Sequence, residues 1–316
     1  MLLDLVYFVI GLAGLVYGAE WLVGGSARIA AKLGVSSFVV GLTLVSFGTS
    51  APELVVSGIA SYGGNGELAV GNVLGSNIAN IGLILGLAAL IRPMYVKREL
   101  VLRDVPIMIG AAAIIPVLAW SGTISRAEGA LLLVLFAAYI GFIAVDARRQ
   151  SSDLDAVLER EGVDVSERNS VKRDAAIAIV GLVVLAVGAN LMVDSAIAIA
   201  TELGVSQVVI GLTLVALGTS LPELAASVSA ARRDEGEIVI GNIVGSNIFN
   251  VALILGVSAL IRPLPISATV LRIDAPVVIA LSLLFVPLMF TSLRIHRWEG
   301  GFLVACYLSF IAFTAL

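Results

Sequence analysis

The chain repeats itself at a constant offset of 170 residues. Residues 41–61, GLTLVSFGTSAPELVVSGIAS, align with residues 211–231, GLTLVALGTSLPELAASVSAA. Residues 71–93, GNVLGSNIANIGLILGLAALIRP, align in the same way with residues 241–263, GNIVGSNIFNVALILGVSALIRP. Chance does not produce a match of this length, so the chain consists of a duplicated unit. Any feature that carries the function is therefore expected twice, once in each half.

The composition predicts a protein that lies in a lipid bilayer. Hydrophobic residues make up 59% of the chain and charged residues 13%, whereas a soluble domain is about 45–50% apolar and about 25% charged. The net charge of −4 excludes the basic patch that would indicate a nucleic-acid partner. A single cysteine, Cys306, excludes both a disulfide framework and a cysteine-based metal site.

Ten stretches are long and apolar enough to span a membrane, which takes about 20 residues each. They lie at roughly 2–23, 37–62, 67–91, 101–120, 127–146, 173–198, 206–230, 237–261, 271–291 and 298–315. Because five spans per half is an odd number, the second copy enters the membrane from the opposite side. The sequence thus predicts an all-α membrane protein with ten transmembrane helices in two inverted five-helix repeats. The first repeat comprises residues 1–146 and the second residues 173–316, joined by a charged cytoplasmic linker at 147–172.

The positions of lysine and arginine predict how the chain is oriented. If the N-terminus lies outside, all but three of the 19 basic residues fall in cytoplasmic loops. The three exceptions are Arg126, Arg262 and Arg272. Cytoplasmic loops are enriched in basic residues, so we expect a multi-pass protein of the cell membrane with both termini outside.

A proline interrupts the second and the seventh predicted span. It belongs to the motif GTSAPE at 48–53 and to its repeat GTSLPE at 218–223. Proline lacks an N–H and clashes with the preceding turn, so each helix is expected to bend there. Backbone carbonyls released at membrane depth need a new partner, such as a neighbouring helix, water or a cation.

Each of these motifs also places a glutamate in the middle of an apolar span. Glu53 and Glu223 each cost about 2.5–3.5 kcal/mol at such a position, so a function is expected to retain them. A proline kink with a glutamate bonded to a neighbouring helix is the alternative, but it does not explain the same hexapeptide in both halves. The hydroxyl residues three and four positions earlier share a helix face with the glutamate; they are Thr49, Ser50, Thr219 and Ser220.

The third and eighth predicted spans each carry a polar stripe with a period of four residues. The stripes consist of Asn72, Ser76 and Asn80 and of Asn242, Ser246 and Asn250. Hydrogen bonding between helices is the alternative role for these residues, above all for Asn72 and Asn242. Carboxylates, hydroxyls, amide oxygens and carbonyls together form an all-oxygen ligand set, which suits hard cations such as Ca²⁺.

Two carboxylates neutralise one Ca²⁺ or two monovalent cations. An empty site would leave two charges in a low-dielectric interior, so its movement across the membrane without ions should be disfavoured. This is a physical basis for obligatory exchange, and the sequence therefore predicts a transporter with ions as substrates and no cofactor. A passive channel is disfavoured by the inverted repeat, and an intramembrane enzyme by the absence of a nucleophile or metal triad in the spans.

The paired GTSxPE and GNxxGSNIxN segments resemble the two alpha-repeats of the sodium/calcium exchanger branch of the calcium/cation antiporter superfamily. The resemblance covers essentially the whole chain and is closest in kind to the compact prokaryotic members. It implies exchange of Na⁺ for Ca²⁺ by alternating access, with the first and sixth helices sliding against the other eight. Exchange of Ca²⁺ for H⁺ on the same scaffold stays open, because glutamates also carry protons.

The resemblance also implies a role for each motif residue. Glu53 and Glu223 would be the central Ca²⁺ ligands and would be shared with flanking Na⁺ sites. The remaining ligands would be the backbone oxygens of Thr49 and Thr219, the side chains of Ser76 and Ser246, the carbonyls of Ser46 and Ala216, and Ser50, Ser220, Asn80 and Asn250 in the middle of the cluster. Some K⁺-dependent relatives carry aspartate at the position of Asn250, so asparagine there argues against K⁺ co-transport. The oligomeric state is not indicated by the sequence.

Overall fold

A computed structural model describes residues 2–160, 171–204, 216–290 and 293–315, and this part of the chain is almost entirely helical. The helices are α1 (Leu2–Leu33), α2 (Ser37–Thr49), α3 (Ala51–Tyr62), α4 (Gly66–Ile91), α5 (Arg98–Leu118), α6 (Arg126–Arg160), α7 (Val171–Glu202), α8 (Ala216–Gly218), α9 (Leu221–Arg232), α10 (Gly236–Ile261), α11 (Ala275–Phe290) and α12 (Arg297–Ala315). A 3₁₀ turn, Ala119–Ser121, follows α5, and a π turn, Val270–Asp274, precedes α11.

Seven of the helices in the described part of the chain are long and apolar enough to cross a membrane, and the bent pair α2 and α3 adds an eighth. Large apolar side chains such as Val180, Val183 and Val187 on α7 point outward, where lipid would cover them. The chain is therefore a multi-pass membrane protein. The count of ten spans stays a prediction. The tenth predicted span is the helix α12, whereas the seventh includes residues 206–215, which lie outside the described residues.

Two predicted boundaries differ from the structure because helices continue beyond the apolar stretches. The linker predicted at 147–172 is helical up to Arg160 as the end of α6, and α7 already begins at Val171. No glycine or proline occurs at 147–160 to stop the helix. Residues 161–170 of the linker lie outside the described residues. The first helix likewise extends from the predicted end at residue 23 to Leu33.

The first and sixth predicted spans, α1 and α7, pack against each other as an antiparallel pair along most of their length. Glycines permit this close approach. A Cβ on Gly181 would lie 2.5 Å from the backbone nitrogen of Leu22, and one on Gly18 would overlap the backbone of Leu185. Small residues at a helix interface allow such packing in membranes.

An ion cluster ties the same two helices together at one end. The carboxylate of Asp174 on α7 accepts hydrogen bonds from Arg28 Nε at 2.6 Å and from Lys32 Nζ at 2.5 Å, both on α1. The side chain of Asp174 is nearly buried. Arg28 and Lys32 therefore bridge two helices, whereas the sequence analysis assigned them to a loop.

Helix α10 forms the centre of the molecule, because every residue from Ile238 to Phe249 is buried. It lies directly against α2. A Cβ on Gly241 would approach the backbone nitrogen of Leu42 to 2.8 Å, and one on Gly245 would come within 2.5 Å of Ser46 Oγ. The absence of a side chain at these two glycines permits the close approach. It brings the polar stripe of α10 against the GTSAPE motif.

Two short antiparallel strand pairs join loops of the first half to loops of the second. In the first pair Met94 lies opposite Ile295, and in the second Thr123 lies opposite Pro265. The strands are β1 (Met94–Tyr95), β2 (Thr123–Ile124), β3 (Leu264–Pro265) and β4 (Arg294–Ile295). Strand β1 follows α4 and β3 follows α10, so each pair links a loop after a central helix to a loop of the other half.

Candidate cation site

The two spans that carry the GTSxPE motif are both interrupted at the motif, as predicted. Helix α2 ends at Thr49 and α3 begins at Ala51 with a bend of 44° between them. Ser50 at this break has φ −82° and ψ 3°, outside the helical region. In the second half Thr219 and Ser220 separate α8 from α9, and Ser220 has φ −90° and ψ 5°. The proline follows in the first turn of the new helix, where its missing N–H costs no hydrogen bond.

The two glutamates lie in the first turn of the helices that follow the breaks. Glu53 belongs to α3 and Glu223 to α9, and each is only 1% exposed. A carboxylate is stabilised at a helix N-terminus by the helix dipole and by backbone N–H groups that have no partner within the helix. Each carboxylate contacts the serine at the helix break of the opposite half, so the two broken helices meet in one hydrogen-bonded cluster. That the two acids share one cation stays a prediction.

Serines of the opposite half bind one oxygen of each carboxylate. Ser50 Oγ donates to Glu223 Oε1 at 3.0 Å, and Ser220 Oγ donates to Glu53 Oε1 at 3.3 Å. The other oxygen, Oε2, has no hydrogen-bond partner in either glutamate among the described residues. A buried carboxylate oxygen without a partner is costly. This arrangement therefore leaves one acceptor of each glutamate for another ligand.

The serines of the polar stripes complete a symmetric set of contacts. Ser50 Oγ lies 3.1 Å from Ser246 Oγ, and Ser220 Oγ lies 3.2 Å from Ser76 Oγ. Each stripe serine is thus connected, through the motif serine of the opposite half, to the glutamate of its own half. All four hydroxyls are buried.

The threonines of the motifs bind asparagines of the stripes. Thr49 Oγ1 donates to Asn242 Oδ1 and Thr219 Oγ1 to Asn72 Oδ1, both at 3.3 Å. The amide groups of these asparagines donate in turn to two serines, with Asn72 bonded to Ser57 at 3.0 Å and Asn242 to Ser227 at 3.1 Å. The alternative role predicted for Asn72 and Asn242, hydrogen bonding between helices, is confirmed.

The sequence analysis missed Ser57 and Ser227. Each follows its glutamate by four residues and so lies on the same helix face. This spacing was the signal that could have identified them.

Two predicted carbonyl ligands have different surroundings. The carbonyl of Ser46 already accepts the backbone N–H of Ser50 at 2.9 Å, while the Ser46 hydroxyl donates to the carbonyl of Leu42. A carbonyl has two lone pairs, and the hydroxyl of Thr49 also lies 3.4 Å from this Ser46 oxygen. Ala216 is the first residue of α8, and residues 205–215 before it lie outside the described residues.

Asn80 and Asn250 are buried and each begins a π-helical segment within its helix. Such segments are frequent at functional sites. Asn250 Nδ2 donates to Asn77 Oδ1 at 3.0 Å, whereas neither side-chain atom of Asn80 has a hydrogen-bond partner among the described residues. The sequence analysis gave no role to Asn77 or to its counterpart Asn247. Both lie in the quoted motif GSN, next to the stripe serines.

The chemistry of this cluster is that of oxygen ligands. Among the described residues no group of three or more histidine, cysteine, aspartate or glutamate side chains lies together. The ligands on offer are two carboxylates surrounded by hydroxyl and amide oxygens, which suit hard cations rather than soft metals.

A family model described as sodium/calcium exchanger protein matches residues 3–145 and again residues 174–316. The chain belongs to the sodium/calcium exchanger family. The sodium/calcium exchanger MaX1 of Methanosarcina acetivorans is 38% identical, covering 96% of this chain and 95% of that protein. The inner membrane protein YrbG of Escherichia coli is 37% identical over 90% of this chain and 88% of its own length. The solved structure of the sodium-calcium exchanger NCX_Mj, soaked with Na⁺ and Ca²⁺, superposes with a TM-score of 0.85 at 37% identity and covers 99% of this chain and 98% of its own.

Membership in the sodium/calcium exchanger family makes the chain a cation antiporter of the membrane. The resemblance inferred from the GTSxPE and GNxxGSNIxN segments is thereby confirmed. As a family of exchangers, its members are transporters and not enzymes.

Proposed function

We propose that this exchanger moves Ca²⁺ against Na⁺ by alternating access, at a site formed by Glu53 and Glu223. The observation that carries the proposal is the pair of buried carboxylates, each with one oxygen that lacks a partner among the described residues. Ca²⁺ between them would neutralise both charges and supply the missing ligand. Two Na⁺ ions would neutralise the same two charges.

The remaining ligands follow from the contacts around the two acids. The serine pairs Ser50–Ser246 and Ser220–Ser76 each contact one of the two glutamates, which suits two Na⁺ sites beside the central one. The carbonyls of Ser46 and Ala216 and those of Thr49 and Thr219 would complete these sites and the central one. Asn80 and Asn250 contribute amide oxygens in the middle. This ligand set needs no rearrangement of charged residues to exchange one ion for another.

The exchange of ions is obligatory in this proposal because the empty site is unfavourable. Two unneutralised carboxylates in a low-dielectric interior repel each other and lose their hydration. A site loaded with Ca²⁺ or Na⁺ avoids both costs. Only loaded forms therefore switch access readily, which couples the flux of one ion to the other.

The moving part would be the pair α1 and α7. Both helices pack mainly against each other, and α1 also contacts α9, the helix that carries Glu223. A shift of the pair would therefore act directly on the cation site. In the ten-span inverted arrangement with both termini outside, the two halves present equivalent faces to the two sides of the membrane, as alternating access requires.

Ca²⁺ uptake into vesicles tests the proposal and its alternative. The purified protein is reconstituted, and uptake is measured with an outward Na⁺ gradient alone and with a pH gradient alone. We expect uptake with the Na⁺ gradient only. Uptake driven by the pH gradient alone would instead establish Ca²⁺/H⁺ exchange, and uptake with neither gradient would indicate a passive pathway.

A further inference from the structure

Asn77 and Asn247 are repeat counterparts that meet between the two central helices α4 and α10. Asn77 Nδ2 donates to the backbone carbonyl of Asn247 at 3.4 Å. Both side chains are almost completely buried, with exposures of 1% and 3%. In the sequence, each of the two asparagines follows its stripe serine by one residue and precedes Asn80 or Asn250 by three.

The hydrogen bonds of these two asparagines break the symmetry of the repeat. Asn77 Oδ1 accepts the amide of Asn250 at 3.0 Å. The equivalent bond from Asn80 to Asn247 is not formed. Among the described residues, Asn247 Oδ1 and both side-chain atoms of Asn80 have no hydrogen-bond partner.

A sequence difference on α5 accounts for this asymmetry. Asn247 Nδ2 is directed at the thioether of Met108, with 3.7 Å between nitrogen and sulfur. The repeat counterpart of Met108 is Val278, which is equally buried but has no acceptor atom. Met108 therefore orients the Asn247 amide in one half, and Val278 cannot do the same for Asn77 in the other. Asn77 is left to bind Asn250.

The orientation of Asn250 matters because an amide has two different ends. Its oxygen can bind a cation, whereas its NH₂ group cannot. Since Asn77 binds the NH₂ group of Asn250, the oxygen Oδ1 remains buried and without a hydrogen-bond partner among the described residues. Asn250 lies one helical turn beyond Ser246, which contacts Ser50 at the glutamates.

We propose that Asn77 is a positioning residue that holds the Asn250 oxygen toward the cation site, while Asn80 has no equivalent support. The inference rests on the proposed function of that site. It makes the two halves unequal as ligands, with a fixed amide oxygen from the second half and an unsupported amide from the first.

The variant Asn77→Leu tests this role, because leucine fills similar space without binding the amide. We expect the Ca²⁺ concentration for half-maximal binding to rise about two- to tenfold, the range for the loss of one hydrogen bond. It is measured by equilibrium dialysis with ⁴⁵Ca²⁺ on the purified protein, and the maximal rate of uptake should change less. Asn247→Leu is the matched comparison and should change the affinity less than Asn77→Leu. Equal effects of both variants would overturn the proposal.

Repeating the test in an Asn250→Asp variant separates positioning of the Asn250 amide from a general packing role of Asn77. Asn250→Asp presents an oxygen in either orientation, so Asn77→Leu should then cost no Ca²⁺ affinity. The same loss in both backgrounds would show that Asn77 only supports the fold and would also overturn the proposal. If Asn77→Leu does not yield folded protein, Asn77→Ala replaces it in both backgrounds.

The binding readout keeps the two proposals apart. If the wild-type protein fails to exchange Na⁺ for Ca²⁺, the proposed function is wrong, but the coupling between Asn77 and Asn250 is still measured. If exchange is observed and the coupling is absent, only the role of Asn77 is wrong.

Discussion

At the scale of single residues, the candidate cation site is formed by reciprocal hydrogen bonds between the two halves. Each glutamate is bonded by the serine at the helix break of the other half, at 3.0 Å for Glu223 and 3.3 Å for Glu53. Neither half can therefore form the site alone. One oxygen of each carboxylate, Oε2, has no hydrogen-bond partner within the described residues. A cation bound there would supply the missing contact.

Replacing either glutamate by glutamine tests this arrangement. Glutamine keeps the size of the side chain but removes one charge, so Ca²⁺ would no longer be neutralised. We expect Glu53→Gln and Glu223→Gln each to lower the rate of Na⁺-driven Ca²⁺ uptake by about a hundredfold or more, as for the loss of one partner of a buried ion pair. Glu67→Gln, at an exposed position in the first turn of α4, is the control and should keep the wild-type rate. Wild-type exchange by both site variants would contradict the proposed site.

The sequence alone identified most residues of the symmetric cluster, because the motif is present twice. It did not identify Ser57 and Ser227, and it did not show that each motif serine binds the glutamate of the opposite half. It was not sufficient for the asymmetric part. The different surroundings of Asn77 and Asn247 depend on Met108, which lies on another helix, and a distance between helices is not encoded in the spacing within one motif.

At the scale of helices, breaks were more predictable than ends. The breaks at Ser50 and Ser220 could be expected from the repeated GTSxPE motif, whereas α5 continues without a break through Pro106 and Pro116. The ends of α1 and α6 could not be expected, because both helices continue past their apolar stretches, α1 even through Gly24 and Gly25. The length of an apolar stretch predicts the part of the helix that lies in the membrane, whereas the whole helix is longer than that stretch. The π-helical segments at Asn80 and Asn250 had no sequence signal that was recognised.

The glycine contacts between α1 and α7 predict which substitutions this pair tolerates. A Cβ on Gly188 would lie 2.6 Å from the backbone nitrogen of Leu15, and Leu15 cannot give way without moving α1. We expect Gly188→Ala to lower the free energy of unfolding by about 1–3 kcal/mol, as other overpacked contacts do, and to slow uptake.

The matched control is Gly141→Ala on α6, where an added Cβ meets no atom within 4 Å. Because alanine favours a helix over glycine, this variant should be as stable as the wild type or slightly more stable. Thermal unfolding of the purified proteins in detergent makes the comparison. Equal stability of the two variants would contradict the tight contact between α1 and α7.

At the scale of the whole molecule, the repeat and the apolar composition led to the correct family and to a multi-pass membrane protein. The duplicated motifs were decisive, because they occur in both halves in the same order. The number of spans and their orientation stay predictions. They depend on the position of the chain relative to a bilayer, and only the distribution of arginine and lysine bears on it.

Labelling of paired cysteines tests the inverted arrangement. Tyr62 and Arg232 are exposed repeat counterparts at the ends of α3 and α9. In a Cys306→Ser background, we expect Tyr62→Cys to react with a membrane-impermeant thiol reagent added to intact cells. Arg232→Cys should react only after the membrane is permeabilised. Reaction of both cysteines in intact cells would rule out opposite orientations of the two halves.

The central claim is that Glu53 and Glu223 hold the transported ions between them. Diffraction from crystals soaked with Sr²⁺, an electron-rich substitute for Ca²⁺, tests it most directly. We expect a strong peak between the two glutamates, slightly farther from a carboxylate oxygen of each than the about 2.3–2.6 Å of Ca²⁺, and this peak should weaken when Na⁺ is added. A peak bound elsewhere, or glutamates that face away from each other with no ion between them, would contradict the claim.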